Sequence, residues 1–232
     1  MTDTTPLALI TGANRGIGLE LARHYAGEGC DVIGVCREAS PELKEVATRV
    51  IESVDVTTAS GLQTLIDGLK GESIELLINN AGNVRDRSFL KMSDDDFESV
   101  LRVHVFGTFM CSQEAALRMR DQASGGAIVN TVSAAHFGNF GQTNYAGSKG
   151  AIASMNRRGA KVHVPLRRDE RALHILPTPT LEASIGPGVV VGRLPAQRRQ
   201  PVDRRGAAQQ SPLDHRGYAR LRGHPCGYEA FP

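Results

Sequence analysis

Three residues in the second half of the chain have side chains suited to proton transfer: Ser133, Tyr145 and Lys149. Tyr145 and Lys149 are four positions apart, which places both side chains on one face if the segment is a helix. A phenol is a poor base at neutral pH, but a neighbouring ammonium favours its ionised form. A tyrosine in this setting can exchange a proton with an alcohol or carbonyl oxygen. The pattern favours carbonyl–alcohol redox chemistry if a hydride carrier binds beside it, although Tyr-x-x-x-Lys also occurs on ordinary helices.

A glycine-rich loop near the N-terminus would supply the site for such a carrier. Leu7–Thr11 is a short apolar run that predicts a buried strand, and helical spacing of apolar residues follows the sequence TGANRGIG at 11–18. Gly12, Gly16 and Gly18 would let a phosphate approach the backbone at a helix N-terminus. The alternative is an ordinary turn between a strand and a helix.

Two arginines indicate which dinucleotide would bind. After the second strand of a dinucleotide site, an acidic residue hydrogen-bonds the ribose 2′-hydroxyl, whereas an arginine accommodates a 2′-phosphate. Arg37 follows the strand predicted at 31–36, and Arg15 lies in the glycine loop. We therefore expect NADP(H) rather than NAD(H). The alternative is that both arginines simply face solvent.

Strands and helices are predicted to alternate along the next hundred residues. Further strands are expected at 50–54, 76–78 and 127–131, and helices at 62–69 and from Ser93 to about Met119. Ser93 is a suitable N-cap, because three aspartates follow it in the first turn. This alternation predicts an α/β fold, a Rossmann-like doubly wound parallel sheet, with the site at the carboxyl ends of its strands.

Four motifs in this order resemble the short-chain dehydrogenase/reductase family over about residues 6–156. They are the glycine loop, Asp55-Val56, Asn79-Asn80-Ala81-Gly82, and the Ser133, Tyr145 and Lys149 set. The resemblance implies that Tyr145 moves the proton, that Ser133 orients the substrate oxygen, and that Lys149 holds the nicotinamide ribose. With the two arginines, the implied cofactor contacts are Thr11, Gly12, Asn14, Arg15, Gly16, Ile17, Gly18, Arg37, Asp55, Val56, Asn80, Ala81, Gly82, Tyr145 and Lys149.

The resemblance gives a mixed indication of the substrate. The sequences RVHVFGTF and GNFGQTNY are similar to the hydroxyacyl-CoA dehydrogenase part of multifunctional β-oxidation enzymes and to 3-oxoacyl carrier-protein reductases. The first 80 residues are more similar to NADP-using reductases. A small-molecule ketone or secondary alcohol is implied, with a 3-oxoacyl or 3-hydroxyacyl thioester as one candidate. The family commonly forms dimers through its long helices, so a homodimer is another expectation.

His104 stands where the family usually has an asparagine in the long helix. In the family this asparagine supports a water molecule of the proton relay. The multifunctional β-oxidation enzymes also have histidine at this position, so the change does not imply loss of activity. We favour a buried, hydrogen-bonded structural histidine over a catalytic one.

The chain changes character after about residue 156. Residues 1–156 carry 13 Lys+Arg and 19 Asp+Glu, whereas 157–232 carry 14 and 6 together with nine of the 11 prolines. We expect residues 1–156 to form the NADP-binding domain and 157–232 to be an Arg/Pro-rich tail that does not match the family. Its composition is typical of disorder, and it would arise from a frameshift or a divergent segment. The alternative function is then a truncated nucleotide-binding remnant without turnover.

The remaining composition bears on metal, membrane and nucleic-acid partners. No apolar run approaches the roughly 20 residues that a membrane span needs, and the N-terminus lacks the pattern of a secretory signal. The four cysteines show neither metal-ligand spacing nor a disulfide framework. The basic tail lacks the aromatic interleaving of a nucleic-acid-binding segment. We therefore expect a cytoplasmic enzyme without a metal site.

Overall fold

A six-stranded sheet forms the core of the computed structural model, which describes residues 5–122, 124–159 and 189–194. Within these residues the strands are β1 Leu7–Thr11, β2 Asp31–Val35, β3 Arg49–Ile51, β4 Leu76–Asn79, β5 Gly126–Thr131 and β6 Val189–Leu194. Their order is β3-β2-β1-β4-β5-β6. The first five strands are parallel, and β6 pairs antiparallel with β5.

Helices connect the parallel strands. They are α1 Gly16–Gly27, α2 Pro41–Val46, α3 Ala59–Gly68, α4 Asp94–Leu101, α5 Thr108–Asp121 and α6 Thr143–Gly159. A π-helical turn at Arg102–Gly107 joins α4 to α5, and 3₁₀ turns lie at Phe89–Lys91 and Ala134–Phe137. The predicted Rossmann-like α/β architecture is confirmed, with one antiparallel strand added at its edge.

Two elements differ from expectation near the second and third strands. β3 ends at Ile51 and does not extend over 50–54, because Ser53 takes up a left-handed backbone conformation with φ 60°. Helix α2 was not predicted, yet its start has a clear signal. The Ser40 hydroxyl accepts a hydrogen bond from the Leu43 N–H, and Pro41 occupies the first turn.

The predicted tail contains one short apolar run, in the sequence GPGVVV at 186–191. A strand does form there, at Val189–Leu194. It runs antiparallel to β5, with Val129 opposite Val191 in the register. The rest of the predicted tail, 160–188 and 195–232, lies outside the described residues.

Apolar side chains fill both faces of the sheet. One cluster packs α3 and α5 against it, with Leu65, Cys111 and Met119 almost fully buried. The other packs α1 and α2 against the opposite face, where Leu21 and Leu43 are buried. Because β2 lies on one side of β1 and β4 on the other, the chain reverses direction between β1 and β4. A crevice therefore opens at their carboxyl ends, as expected for doubly wound sheets.

Candidate active site

A cleft of about 560 Å³ lies at the carboxyl ends of β1, β4 and β5. Its lining comes from the glycine loop, the ends of three strands, the π-helical turn and α6. The described residues that line it are Arg15, Ile17, Arg37, Asn80, Gly82, Asn83, Val84, Arg85, His104, Thr131, Val132, Tyr145 and Lys149. The fold thus brings the glycine loop and the Tyr145–Lys149 pair to one cavity, although they are far apart in the chain.

The glycine loop packs so closely that side chains are excluded from two of its positions. A Cβ on Gly12, which has φ 66°, would lie 2.7 Å from the Ala81 Cα. A Cβ on Gly18 would lie 2.2 Å from the Gly12 carbonyl oxygen. These two glycines therefore allow the loop to pack tightly, whereas a Cβ on Gly16 would meet nothing within 4 Å, and no side chain caps the start of α1. The backbone at the start of α1 is thus open to a ligand, as a dinucleotide phosphate requires. A nicotinamide dinucleotide fits this cradle.

Thr11 and Asn80 fix the loop to the end of β4. The buried Thr11 hydroxyl accepts hydrogen bonds from the Asn80 and Ala81 N–H groups at 3.1 and 3.2 Å. The Asn80 amide donates to the carbonyl oxygens of Thr11 and Gly12 at 3.3 and 3.1 Å. Thr11, Gly12, Gly18 and Ala81 therefore shape the cleft without lining it.

Arg15 and Arg37 both line the cleft, as the interpretation as an NADP(H) site requires. Ile17, beside them, is 55% exposed. Asn14 points elsewhere, because its side-chain oxygen and its carbonyl oxygen both bond to Ser40 at the start of α2. Asn14 therefore connects the glycine loop to the next crossover and does not contact the cavity.

Asp55 and Val56 lie outside the cleft lining. An Asp55 carboxylate oxygen accepts hydrogen bonds from the Thr57 hydroxyl at 2.7 Å and the Thr57 N–H at 2.9 Å. These bonds, the hydroxyl first, hold the pKa of Asp55 below its usual value, and Arg37 adds a weaker effect of the same sign. Val56 is 9% exposed and belongs to the core.

Tyr145 and Lys149 lie on one face of α6, as their spacing predicted. The Lys149 Nζ is 5.5 Å from the centre of the Tyr145 ring and donates a 2.8 Å hydrogen bond to the Thr131 carbonyl oxygen. Lys149 is 4% exposed, and this burial lowers its pKa from 10.5 to about 8. The amine is therefore mainly protonated at pH 7, so a cation stands beside a half-buried phenol.

Ser133 follows β5 by two residues and is half-buried. Its hydroxyl oxygen accepts a 3.2 Å hydrogen bond from the Ala135 N–H and so caps a 3₁₀ turn. The hydroxyl proton remains available to another acceptor. Ser133 itself is not among the described residues that line the cleft, but it directly follows Thr131 and Val132, which do line it.

His104 lines the cleft beside Tyr145. It is 3% exposed, and its Nε2 lies 3.1 Å from the main-chain nitrogen and 2.8 Å from the main-chain oxygen of Asn83. The ring meets that of Tyr145 edge-on, at 5.3 Å and 88°. Burial, and then the Lys149 charge, lower the pKa of His104 from 6.5 to about 4. The favoured expectation of a buried, hydrogen-bonded histidine is confirmed.

Sequence reasoning missed several residues of the lining, namely Asn83, Val84, Arg85, Thr131 and Val132. Thr131 and Val132 could have been found, since they immediately precede Ser133 at a strand end. Arg85 follows the NNAG motif by three residues, and only the path of the loop places it in the cleft.

The described residues contain no group of three His, Cys, Asp or Glu side chains placed to hold a metal ion. None of the helices in this part of the chain has the length and apolar character needed to cross a membrane.

A family model for short chain dehydrogenases matches residues 6–167. A short-chain type dehydrogenase/reductase of Mycobacterium tuberculosis is 31% identical over 202 residues, which cover 75% of this chain and 71% of that protein. A Mycobacterium marinum short-chain type dehydrogenase/reductase of known crystal structure superimposes with a TM-score of 0.62 at 30% identity, covering 67% of this chain and 66% of that one.

Two relatives have more specific names. The peroxisomal hydratase-dehydrogenase-epimerase of Saccharomyces cerevisiae is 37% identical over 161 residues, which cover 65% of this chain but only 18% of the yeast protein. A 3-oxoacyl-[acyl-carrier-protein] reductase of Staphylococcus aureus is 32% identical over 168 residues, or 68% of either chain.

Proposed function

Because this chain belongs to the short-chain dehydrogenase family, we propose that its cleft interconverts a ketone and a secondary alcohol with NADP(H). The observation that carries this proposal is the pair formed by Tyr145 and Lys149. A phenol beside a buried, mainly protonated amine lines the same cleft as a glycine loop open to phosphate. Proton transfer and dinucleotide binding are thereby available in one cavity.

Tyr145 is proposed as the acid and base of the reaction. In reduction its hydroxyl gives a proton to the carbonyl oxygen, and in oxidation its phenolate takes the proton back. The bond to the Thr131 carbonyl oxygen holds the Lys149 ammonium in place, where its charge would stabilise negative charge on the tyrosine oxygen as the proton leaves. Ser133 would donate its free hydroxyl proton to the same substrate oxygen and orient it.

The cofactor would supply or accept the hydride at the carbon that bears this oxygen. We propose that the backbone around Gly12, Gly16 and Gly18 holds its pyrophosphate, and that Arg15 and Arg37 hold a 2′-phosphate. A guanidinium matches the geometry of phosphate, and both arginines line the cleft. This supports NADP(H) over NAD(H). The adenine contact proposed for Asp55 and Val56 would use the main chain, because Val56 is buried and the Asp55 carboxylate is bonded to Thr57.

For the substrate we propose a 3-oxoacyl or 3-hydroxyacyl thioester. Two relatives support this choice, the yeast enzyme named a hydratase-dehydrogenase-epimerase and the staphylococcal 3-oxoacyl-[acyl-carrier-protein] reductase. We further propose a cytoplasmic location, from the free thiols of Cys30, Cys36 and Cys111, and a homodimer formed through the long helical segment that holds His104 and through α6. The second candidate function is a nucleotide-binding remnant without turnover, which is favoured by a family match that ends at residue 167.

Cofactor binding is tested first, because both candidate functions require it. NADPH fluorescence is titrated with the purified chain beside NADH, and the absence of tryptophan keeps the protein background low. We expect saturable binding that favours NADPH. Equal or tighter binding of NADH would contradict the role given to Arg15 and Arg37.

Turnover of acetoacetyl-CoA with NADPH then tests the chemistry. Tyr145→Phe should abolish turnover and leave NADPH binding nearly unchanged, because it removes only the phenolic hydroxyl. Tyr25→Phe, on α1 and outside the cleft, is the matched control and should keep wild-type turnover. A Tyr145→Phe protein with full activity would refute the proposed acid and base. NADPH binding without any turnover by the wild type would favour the remnant.

A further inference from the structure

The cleft has a cationic residue that the proposed cofactor site leaves unused. Its described lining contains four cationic side chains, Arg15, Arg37, Arg85 and Lys149, and no carboxylate. Arg15 and Arg37 are assigned above to the cofactor's 2′-phosphate, and the Lys149 amine is bonded to the Thr131 carbonyl oxygen at the end of β5. Arg85 comes from the loop after β4 and has no role in the scheme above.

The main chain of Arg85 is tied to the residue before Tyr145. Asn144, which is fully buried, donates from its side-chain amide to the carbonyl oxygens of Arg85 and Asp96, both at 2.9 Å. The side-chain oxygen of the same Asn144 accepts the Tyr145 N–H at 2.8 Å. One buried amide thus fixes the Arg85 backbone relative to the proposed catalytic tyrosine.

A second set of bonds holds the same loop against the segment before α6. The Arg87 N–H donates to the Gly141 carbonyl oxygen at 2.8 Å, and the Gln142 amide donates to the Asp86 carboxylate at 3.0 Å. The Arg87 guanidinium lies 3.7 Å from the Asp96 carboxylate. The Asp86 carboxylate and the Arg87 guanidinium therefore contact Gln142 and Asp96, and neither forms an ion pair with Arg85.

The side chain of Arg85 is exposed and makes no hydrogen bond or ion pair with any other described residue. Beside it, Val84 lines the cleft and is 60% exposed. A guanidinium whose main chain is fixed thus lines the cleft next to an apolar side chain. This arrangement suits a substrate with an apolar portion and an oxyanion, since a guanidinium binds phosphate or carboxylate with two parallel hydrogen bonds.

We propose that Arg85 binds an anionic group of the substrate, and that the cleft therefore selects carbonyl compounds that carry a phosphate or a carboxylate. The inference rests on the proposed oxidoreductase function and adds a specificity-determining residue to it. Coenzyme A thioesters supply the anion through their phosphates, whereas a free oxo acid supplies it through its carboxylate.

Three substrates with the same reacting group distinguish these sources: acetoacetyl-CoA, the acetoacetyl thioester of N-acetylcysteamine, which has no phosphate, and acetoacetate. They are compared on the wild type, Arg85→Gln and the control Arg87→Gln. The control removes the same charge from the same loop outside the cleft lining. A charged hydrogen bond contributes about 1.5–3 kcal/mol, so its loss should lower kcat/KM about tenfold or more.

We expect Arg85→Gln to lower kcat/KM for acetoacetyl-CoA by this factor, mainly through KM, and to leave the N-acetylcysteamine thioester nearly unchanged. A loss confined to acetoacetate would instead support the carboxylate as the anion. Arg87→Gln should resemble the wild type on all three. Unchanged kcat/KM for every substrate in Arg85→Gln would overturn the proposal, as would a parallel loss of NADPH affinity, which would assign Arg85 to the cofactor.

The proposed function and this inference fail differently. If the wild type turns over none of the three compounds, the proposed function fails and Arg85 is tested by binding alone. Coenzyme A and acetoacetate are then titrated calorimetrically into the NADPH-loaded wild type and Arg85→Gln. Weaker binding of either compound to Arg85→Gln supports the anion site. Equal binding to both proteins, or no binding to the wild type, refutes it.

Discussion

Burial keeps the imidazole of His104 neutral at pH 7. The folded protein binds its proton only near pH 4, because the ring is buried and close to Lys149, whereas an unfolded histidine binds it near 6.5. Above pH 6.5 neither state is protonated and the histidine adds no pH dependence. As the pH falls below 6.5, only the unfolded state gains the proton, so the free energy of unfolding decreases until about pH 4.

We predict a loss of about 2 kcal/mol from this residue between pH 7 and pH 5, from its lowered pKa. Urea unfolding of the wild type and of His104→Asn at both pH values measures it. The variant lacks the titrating ring, so its free energy of unfolding should fall by about 2 kcal/mol less than that of the wild type between the two pH values. The titratable groups that face the ring are Tyr145 and Lys149, and both remain in the variant.

His24→Asn provides the control. His24 also meets a tyrosine edge-on, at 5.1 Å from the ring of Tyr25, but it lies on α1 outside the cleft. This variant should lose stability with falling pH as much as the wild type does. If His104→Asn also does so, the imidazole is not the source of the pH dependence.

At the scale of elements, Arg118 on α5 stabilises the end of α3. Its guanidinium donates to the Leu69 and Ile66 carbonyl oxygens at 2.9 and 3.1 Å. The last carbonyl groups of a helix lack intrahelical donors, so a partly buried side chain can supply them. The two helices that cover one face of the sheet are thereby fixed to each other.

Arg118→Met should lower the free energy of unfolding by about 1–3 kcal/mol, because it keeps the aliphatic stem and removes both donors. Chemical denaturation measures the change. Arg120→Met is the matched control two residues away, where the guanidinium pairs only with Asp121 on the surface. An exposed pair contributes about 0–1 kcal/mol, so this variant should stay close to the wild type. Equal losses in the two variants would show that the link to α3 is not stabilising.

At the scale of the whole molecule, α5 and the turn before it expose an apolar stripe. Phe106, Phe109 and Leu117 are between 46% and 57% exposed, and their spacing places them on one side of the helix. Large exposed side chains in a contiguous patch mark interaction surfaces. We propose this stripe as a contact surface of the homodimer proposed above.

Introducing charge on the stripe should abolish that dimer. We predict that Phe106→Glu/Phe109→Glu sediments as a monomer at concentrations where the wild type is dimeric, because carboxylates cannot be buried unpaired. Phe89→Glu, on the exposed 3₁₀ turn outside this stripe, is the control and should remain dimeric. A wild type that is monomeric throughout would disprove the proposed dimer.

The sequence predicted the strands and helices that build the cleft because their signals are local. Buried strands are short apolar runs, and Ser93 caps α4 from its own neighbourhood, accepting a bond from the Asp96 N–H. Shorter or irregular elements were missed or misplaced. β3 ends at Ile51, before the left-handed Ser53, and the π-helical turn interrupts a helix whose apolar spacing continues through it.

The α/β class, the glycine loop and the pairing of Tyr145 with Lys149 follow from the amino-acid sequence alone, because each depends on residue spacing within a short segment. Which residues share the cleft depends on the folded chain. In the folded chain Asp55 is hydrogen-bonded to Thr57 and Asn14 to Ser40, whereas Arg85 and His104 line the cleft. The physical reason is that these positions depend on hydrogen bonds between distant segments, such as Asn144 to Arg85 and Asn83 to His104, which no local pattern encodes.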